Sequence, residues 1–277
     1  MSGKLGVIGH PIKHSLSPVM HNAAFRKLNL DYEYITFDVR LEELKGKIYE
    51  LGEELIGINV TIPHKINIIK YLDYLSEEAR LIGAVNTVKF SEKTSGYNTD
   101  GIGCVRALEE ADVRVNGKKI LVLGAGGASR AISFQLVKEG GEVWVSDKIS
   151  EKAEKLVKDV KEKLDKRIHA IDVEEKILKE KMEDIDILIN ATPIGMTPNV
   201  NASPINTKIL RKEIAVMDIV YNPMETKLLK DAREIGCKTI DGVGMLVHQG
   251  AKSLEIWLDI KPPIEVMRNA VVKALNS

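Results

Sequence analysis

At 277 residues the chain is long enough for two domains of roughly 100 to 200 residues each, and 44% of it is hydrophobic, which excludes disorder. Lys plus Arg and Asp plus Glu each total 40, so there is no basic excess of the kind a nucleic-acid binder carries, and a small-molecule partner is expected. No segment approaches the ~20 apolar residues of a membrane span and the N-terminus is too weakly apolar for a signal peptide, so a cytoplasmic protein is expected.

Lys4 to Ile8 forms a short apolar strand, and Ser17-Pro18 opens a helix to about Leu28, with serine as cap and proline in the first turn. Tyr32 to Val39 alternates as a strand, and Leu41 to Leu51 is helical. Ile56-Gly57-Ile58 leads into a buried strand ending at Val60; Pro63 cannot continue it and suits the first turn of a following helix. Ser76, with Glu77 and Glu78 behind it, starts a helix to Ile82. Ala84 to Phe90 is a strand, and Ser91 to Gly96 a polar hairpin-like turn. This alternation predicts an α/β fold with a mostly parallel sheet.

A helix from Gly101 to about Ala111 runs into the turn signal Asn116-Gly117. Next come a buried strand (Lys119 to Leu123), a small-residue loop (Gly124 to Ser129), a helix (Arg130 to Glu139) and a second strand (Glu142 to Val145). A long charged helix spans Ser150 to about Leu164, and the charge-rich residues 151–183 are expected as a solvated helical face. Ile185 to Ile189 and Ile214 to Ile219 have strand length. Two helices follow from about Gly244, separated by Lys261-Pro262-Pro263. Cys104 and Cys237 lie far apart with no metal-ligand spacing, so they are expected as buried apolar groups, and no metal is expected.

Gly124-Ala125-Gly126-Gly127-Ala128-Ser129 fits the pattern G-x-G-x-x-small between a strand and a helix, the setting of a dinucleotide site. Gly124 allows the tight turn, Gly126 lets backbone approach a pyrophosphate, and Ser129 permits close helix–strand packing. The helix start offers unpaired N–H groups to the phosphates. Asp147 lies close to the ~20 positions beyond the first glycine where a carboxylate meets the adenosine ribose, which favours NAD. Lys148 beside it could pair with a 2′-phosphate and favour NADP.

A second polar set lies outside the nucleotide half. Ser15 and Ser17 precede a helix, and a cap accounts for one serine but not both. Asn59 and Thr61 point to one side of an extended segment, and Asn86 sits inside a strand, where an amide needs a partner. Lys65 follows the strand-to-turn switch, and Asp100 begins a helix that it could simply cap. Such donors at strand C-terminal ends suit a polyhydroxylated ligand with a carboxylate.

Ser15-Leu16-Ser17-Pro18, Asn59-Val60-Thr61-Ile62-Pro63-His64-Lys65, Gly83-Ala84-Val85-Asn86-Thr87, Asn98-Thr99-Asp100-Gly101 and the glycine loop through Arg130 resemble the shikimate dehydrogenase family. So do Asn190-Ala191-Thr192-Pro193, Asp218-Ile219-Val220-Tyr221-Asn222-Pro223 and Gly242-Val243-Gly244-Met245, and the resemblance spans nearly the whole chain. It implies a substrate domain at 1–101 completed by helices in 240–277, a Rossmann NADP domain at 102–239, and a deep cleft. It implies Lys65 and Asp100 as the catalytic pair for reducing 3-dehydroshikimate to shikimate, with Lys65 as the proton-transferring group and Asp100 orienting it. Ser15, Ser17, Thr61, Asn86 and Gln249 would hold the substrate carboxylate and hydroxyls, with Asn59 and Tyr221 near them. Glu77, Ile219 and Gly242 match positions near the nicotinamide. His10, His14, His21 and His64 take no catalytic role, and a homodimer is compatible with the family.

The chain departs from the family at the end of the second nucleotide-domain strand. NADP-using relatives tend to carry Asn-Arg-Thr there, where this chain has Asp147-Lys148-Ile149. Lysine is not equivalent to arginine for bidentate phosphate contact. NADP is therefore expected, with Arg130 as a second cation beside Lys148, and NAD also used. An NAD-linked quinate/shikimate dehydrogenase is the alternative. A non-catalytic dinucleotide sensor would be expected to lack Lys65 or Asp100. A folate-type methylene dehydrogenase would have no use for the paired serines, and a methyltransferase none for the polar set.

Overall fold

The computed structural model describes residues 3–164 and 167–277. They form two compact units, Met1–Asp100 with Val247–Ser277, and Gly101–Leu246. The first unit opens with β1 (Gly3–Gly9), α1 (Ser17–Lys27), β2 (Tyr32–Asp38), α2 (Leu44–Glu54) and β3 (Gly57–Val60). It continues with β4 (Tyr74–Leu75), α3 (Glu77–Ile82), β5 (Thr87–Lys89) and β6 (Ser95–Tyr97). Then come α4 (Asp100–Glu110), β7 (Lys119–Leu123), α5 (Gly127–Lys138), β8 (Glu142–Ser146), α6 (Ser150–Lys163) and β9 (Ile168–Ala170). After these follow α7 (Glu175–Met182), β10 (Ile187–Asn190), β11 (Ala215–Asp218), α8 (Lys227–Ile235) and β12 (Lys238–Ile240). The chain ends with α9 (Gly242–Leu258), which returns to the first unit, and α10 (Ile264–Leu275).

In the first unit the strands lie in the order β2-β1-β3-β5-β6-β4. β2, β1 and β3 are parallel, whereas β5 runs antiparallel to both β3 and β6. Every residue of β3 is buried, as a strand covered on both faces requires. Ile58 and Val60 join Ile8, Leu44, Ile48 and Leu51 in one core cluster, so the apolar stripe of α2 closes one face of the sheet.

The second unit is a fully parallel sheet, β12-β11-β10-β7-β8-β9. Alternation along β7 builds two cores. Ile120 and Val122 pack in one cluster with residues of α4, α5 and α6, whereas Leu121 and Leu123 pack in the other with residues of α7 and α8. Cys104 and Cys237 are buried and form no disulfide. Among the described residues no helix is long and apolar enough to cross a membrane.

The local structure departs from the sequence expectations in several places. Ser17 lies inside α1, and the serine that serves the helix start is Ser15, whose Oγ accepts from the Ser17 N–H at 3.3 Å. Pro63 does not open an α-helix. The Lys65 carbonyl accepts from the Val85 N–H at 2.8 Å instead of a helical amide, and only a 3₁₀ turn, Asn67–Tyr71, follows. α5 begins at Gly127, three residues before the expected start, because Gly126 already takes the extended cap position. Residues 151–183 are more than a solvated helix: β9 pairs with β8, and Ile168 is fully buried.

Candidate active site

The segment after β3 is anchored on both sides of Lys65. The Thr61 N–H donates to the Ile8 carbonyl at 3.0 Å, and buried His64 donates its Nε2–H to the Val39 carbonyl at 2.7 Å. With its own carbonyl held by Val85, Lys65 directs its amine inward, where Nζ donates to Asp100 Oδ2 at 2.5 Å. The two side chains are only 15% and 5% exposed, which removes the pair from the class of surface ion pairs that contribute little. Asp100 opens α4, where the partial positive charge of a helix start suits a carboxylate. Its N–H donates to Asn98 Oδ1 at 3.0 Å, and Asn98 in turn donates to the Ala84 carbonyl at 2.9 Å.

Asn86 lies in the bend just before β5 and not inside a strand, which corrects the sequence expectation, and its buried amide is fully partnered. Its Nδ2 donates to Asp100 Oδ1 at 2.8 Å, to Thr99 Oγ1 at 2.9 Å and to Gln249 Oε1 at 3.2 Å. Its Oδ1 accepts from the Thr99 N–H at 2.8 Å and from the Thr87 hydroxyl at 3.0 Å. Asn59 is equally engaged. Its Oδ1 accepts from the Tyr34 hydroxyl at 2.7 Å, and its Nδ2 meets the Asn86 carbonyl, Thr87 Oγ1 and Ser253 Oγ at 3.0 to 3.2 Å. Lys65, Asp100, Asn86, Gln249 and Asn59 thus form one bonded cluster. Half-buried Ser15 and buried Ser17 follow β1, and half-buried Thr61 follows β3, at the C-terminal ends of two adjacent parallel strands.

In the second unit Gly124 has φ +101, and a Cβ there would stand 2.9 Å from Thr192 Cγ2 and 3.0 Å from the Ala191 carbonyl oxygen. Gly126 faces open space, with nothing within 4 Å of where its Cβ would be. α5 has no side-chain cap and no acidic residue in its first turn, so the amides following Gly126 have no side-chain acceptor. Ala128 is half-buried in that turn; Ser129 is fully buried and donates its hydroxyl to the Gly124 carbonyl at 2.5 Å. This cradle fits a pyrophosphate: backbone approach is open and the helix start is uncompensated.

The groups around the expected ribose position behave differently from each other. Asp147 accepts from the Ala125 N–H through Oδ2 at 2.8 Å and from the Ile149 N–H through Oδ1 at 2.9 Å, so it fastens the end of β8 to the glycine loop. Arg130 is paired with Asp159 of α6 at 2.6 Å. Lys148 is exposed and makes no ion pair among the described residues.

The sequence reading assigned no role to Asp218, yet it organises the ends of β10 and β11. Fully buried, it accepts from Asn190 Nδ2 (2.9 Å), the Val220 N–H (3.0 Å) and the Thr226 hydroxyl (2.7 Å). Burial pushes its carboxyl up to about 6, against the lowering effect of those donors. A Cβ on Gly242 would lie 2.5 Å from the Ile219 carbonyl oxygen and 2.6 Å from that of Val220, so the start of α9 presses on the segment Asp218 holds. Burial also raises the phenol of half-buried Tyr221 above its usual range. Glu77 is exposed in the first turn of α3, behind Ser76, whose Oγ caps the Ala79 N–H at 3.2 Å.

A dinucleotide cradle on a parallel sheet, and a buried amine–carboxylate pair among amides and hydroxyls, are the two parts of a nucleotide-linked dehydrogenase. The shikimate dehydrogenase substrate-binding domain model matches residues 7–88, the shikimate/quinate 5-dehydrogenase model residues 106–243, and the shikimate 5'-dehydrogenase C-terminal model residues 242–272. The shikimate dehydrogenase (NADP(+)) of Methanocaldococcus jannaschii is 50% identical over 98% of this chain and 97% of its own length. A shikimate dehydrogenase crystallised with NADP+ superposes with a TM-score of 0.95 at 46% identity, covering 100% of this chain and 96% of that one. The shikimate 5-dehydrogenase of Listeria monocytogenes, in complex with shikimate and NAD, gives 0.90 at 40% identity, covering 97% and 96%. The chain belongs to the shikimate dehydrogenase family.

Proposed function

We propose that the protein is an NADP-dependent shikimate dehydrogenase, catalysing the reversible reduction of 3-dehydroshikimate to shikimate on the route to chorismate and aromatic amino acids. The observation that carries this reading is the Lys65–Asp100 pair, buried and oriented by Asn86. Residues 1–101 with the helices of 240–277 would bind substrate, and residues 102–239 would bind NADP. Bound NADP supplies or takes up the hydride. Lys65 Nζ takes the proton from the C3 hydroxyl during oxidation and returns it during reduction. Asp100 keeps that amine aimed and hydrogen-bonds the same hydroxyl. The amides following Gly126 would hold the pyrophosphate, and exposed Lys148 would be the cation available to a 2′-phosphate.

The reading is tested by following nicotinamide absorbance with shikimate or quinate and either cofactor. Shikimate with NADP is expected to be fastest; turnover confined to quinate and NAD would overturn the assignment. Ser15 and Ser17 are assigned to the substrate carboxylate. Ser15→Ala is therefore expected to raise KM more than it lowers kcat, by about tenfold for a lost hydrogen bond to a charged group. Unchanged kinetics would leave Ser15 as a helix-start residue only.

Asp147 bears on cofactor choice. Both its oxygens already accept backbone N–H groups and it makes no ion pair with Lys148, which leaves Lys148 to act on a 2′-phosphate. Lys148→Ala is expected to erode the preference for NADP over NAD by about tenfold, measured as the ratio of kcat/KM values. A silent Lys148→Ala in an enzyme strict for NAD would move the protein to the quinate/shikimate branch.

A further inference from the structure

Behind the Lys65–Asp100 pair runs a buried chain of hydrogen bonds whose direction is fixed at each amide. The Asn86 carbonyl can only accept, so the Asn59 edge facing it must be Nδ2. Asn59 Oδ1 therefore faces Tyr34, and the phenol must donate. The Thr99 N–H can only donate, which fixes Asn86 Oδ1 towards it and Nδ2 towards the Asp100 carboxylate. The two amides are joined through the Asn86 carbonyl and through Thr87 Oγ1, which accepts from Asn59 at 3.2 Å and donates to Asn86 Oδ1 at 3.0 Å.

Tyr34 is firmly placed at the far end. It is 1% exposed, its backbone N–H and carbonyl are both bonded to the Asn22 side chain at 2.9 Å, and its ring stacks on His21 with centroids 4.3 Å apart. Burial pushes its phenol well above the usual value, which keeps the group a donor. Turning the Asn59 amide over would set its carbonyl oxygen against that of Asn86 and take away the acceptor that Asn59 offers to Tyr34. The network therefore has one low-energy arrangement, and that arrangement ends on the carboxylate that aims Lys65.

We infer that Tyr34 is a positioning residue for the Lys65–Asp100 pair, acting through Asn59, Thr87 and Asn86. The inference rests on the catalytic reading above. A phenol whose contribution is only core packing would affect stability, and any loss of rate would be the same whatever stands at position 100.

The test is a double-mutant cycle on the full chain, with shikimate and NADP. Tyr34→Phe is expected to lower kcat about tenfold with KM for shikimate moved by less than about twofold. In an Asp100→Asn background the same change should move kcat by less than about twofold, because the group it acts through is gone. Thr87→Val removes the middle hydroxyl and should give the same pattern, which keeps the test open if Tyr34→Phe folds poorly. An unchanged kcat in both single variants, or an equal loss in both backgrounds, overturns the inference. Full turnover in Asp100→Asn alone overturns the catalytic reading and the inference with it, and is recognisable because it needs no change at Tyr34.

Discussion

Replacing Lys65 by alanine is expected to lower turnover by on the order of 10² to 10⁴, the range for removing a positioned proton-transfer group. The fold should survive. The anchors of this segment are the His64 imidazole and the Lys65 carbonyl, and neither involves the amine that is lost. NADP binding, which we assign to the glycine loop, should persist and can be followed by cofactor fluorescence. Asp100→Asn is expected to depress turnover as well, since an amide holds the amine without a charge. Loss of shikimate binding with full turnover at saturation would reduce Lys65 to a substrate anchor.

The second large effect concerns stability. Asp218 is fully buried, and its carboxyl sits at about 6, above the ordinary 3.8 of the unfolded chain. Between those values the folded state binds more protons than the unfolded state. Its contribution is therefore favourable at low pH and is lost as pH rises through about 6. The cost at neutral pH is up to ~3 kcal/mol. Asp218→Asn should remove it, because Oδ1 can still accept from Asn190 and Val220 while Nδ2 donates to Thr226 Oγ1. Urea unfolding of wild type and variant should give curves that diverge from pH 4 to 6, with the variant more stable at pH 8. Comparing the two proteins cancels Asp186 and Asp231, whose depressed carboxyls tilt the curve the other way. A variant less stable at pH 8 would show that the charge itself holds the Ile219–Val220 segment.

The elements with strong local signals were legible in the sequence. The strand–glycine–helix unit around Gly124, the cap at Ser76 and the apolar run of β3 each carry their signal within a few neighbouring residues. Lys65 and Asp100 stood out because polar groups at strand ends are hard to explain by packing. Tyr34, Thr87 and Ser253 did not, because their roles exist only in long-range pairings; Asn59 meets Ser253 across 194 positions. Asp218 looked like the end of an apolar strand, and only burial together with Asn190 and Thr226 gives it a task. β9 and β12 are three residues long, and the period-two pattern needs more residues to emerge. Pro63 favoured a helix locally, but the neighbouring segment took the backbone groups a helix needed.

The two devices proposed above for the cofactor phosphates differ in how they respond to dissolved ions. Backbone amides at the start of α5 act at hydrogen-bond range, where surrounding electrolyte has little effect. Lys148 stands in solvent, and its attraction for a 2′-phosphate is exposed to an ionic atmosphere whose thickness shrinks from about 10 Å at 0.1 M to about 3 Å at 1 M salt. NADP and NAD share the first device and differ only at the second. Rising ionic strength should therefore weaken NADP more than NAD and narrow the gap between them. The enzyme's choice of cofactor becomes a property of the medium as well as of the chain, strongest in dilute buffer and weakest in concentrated salt.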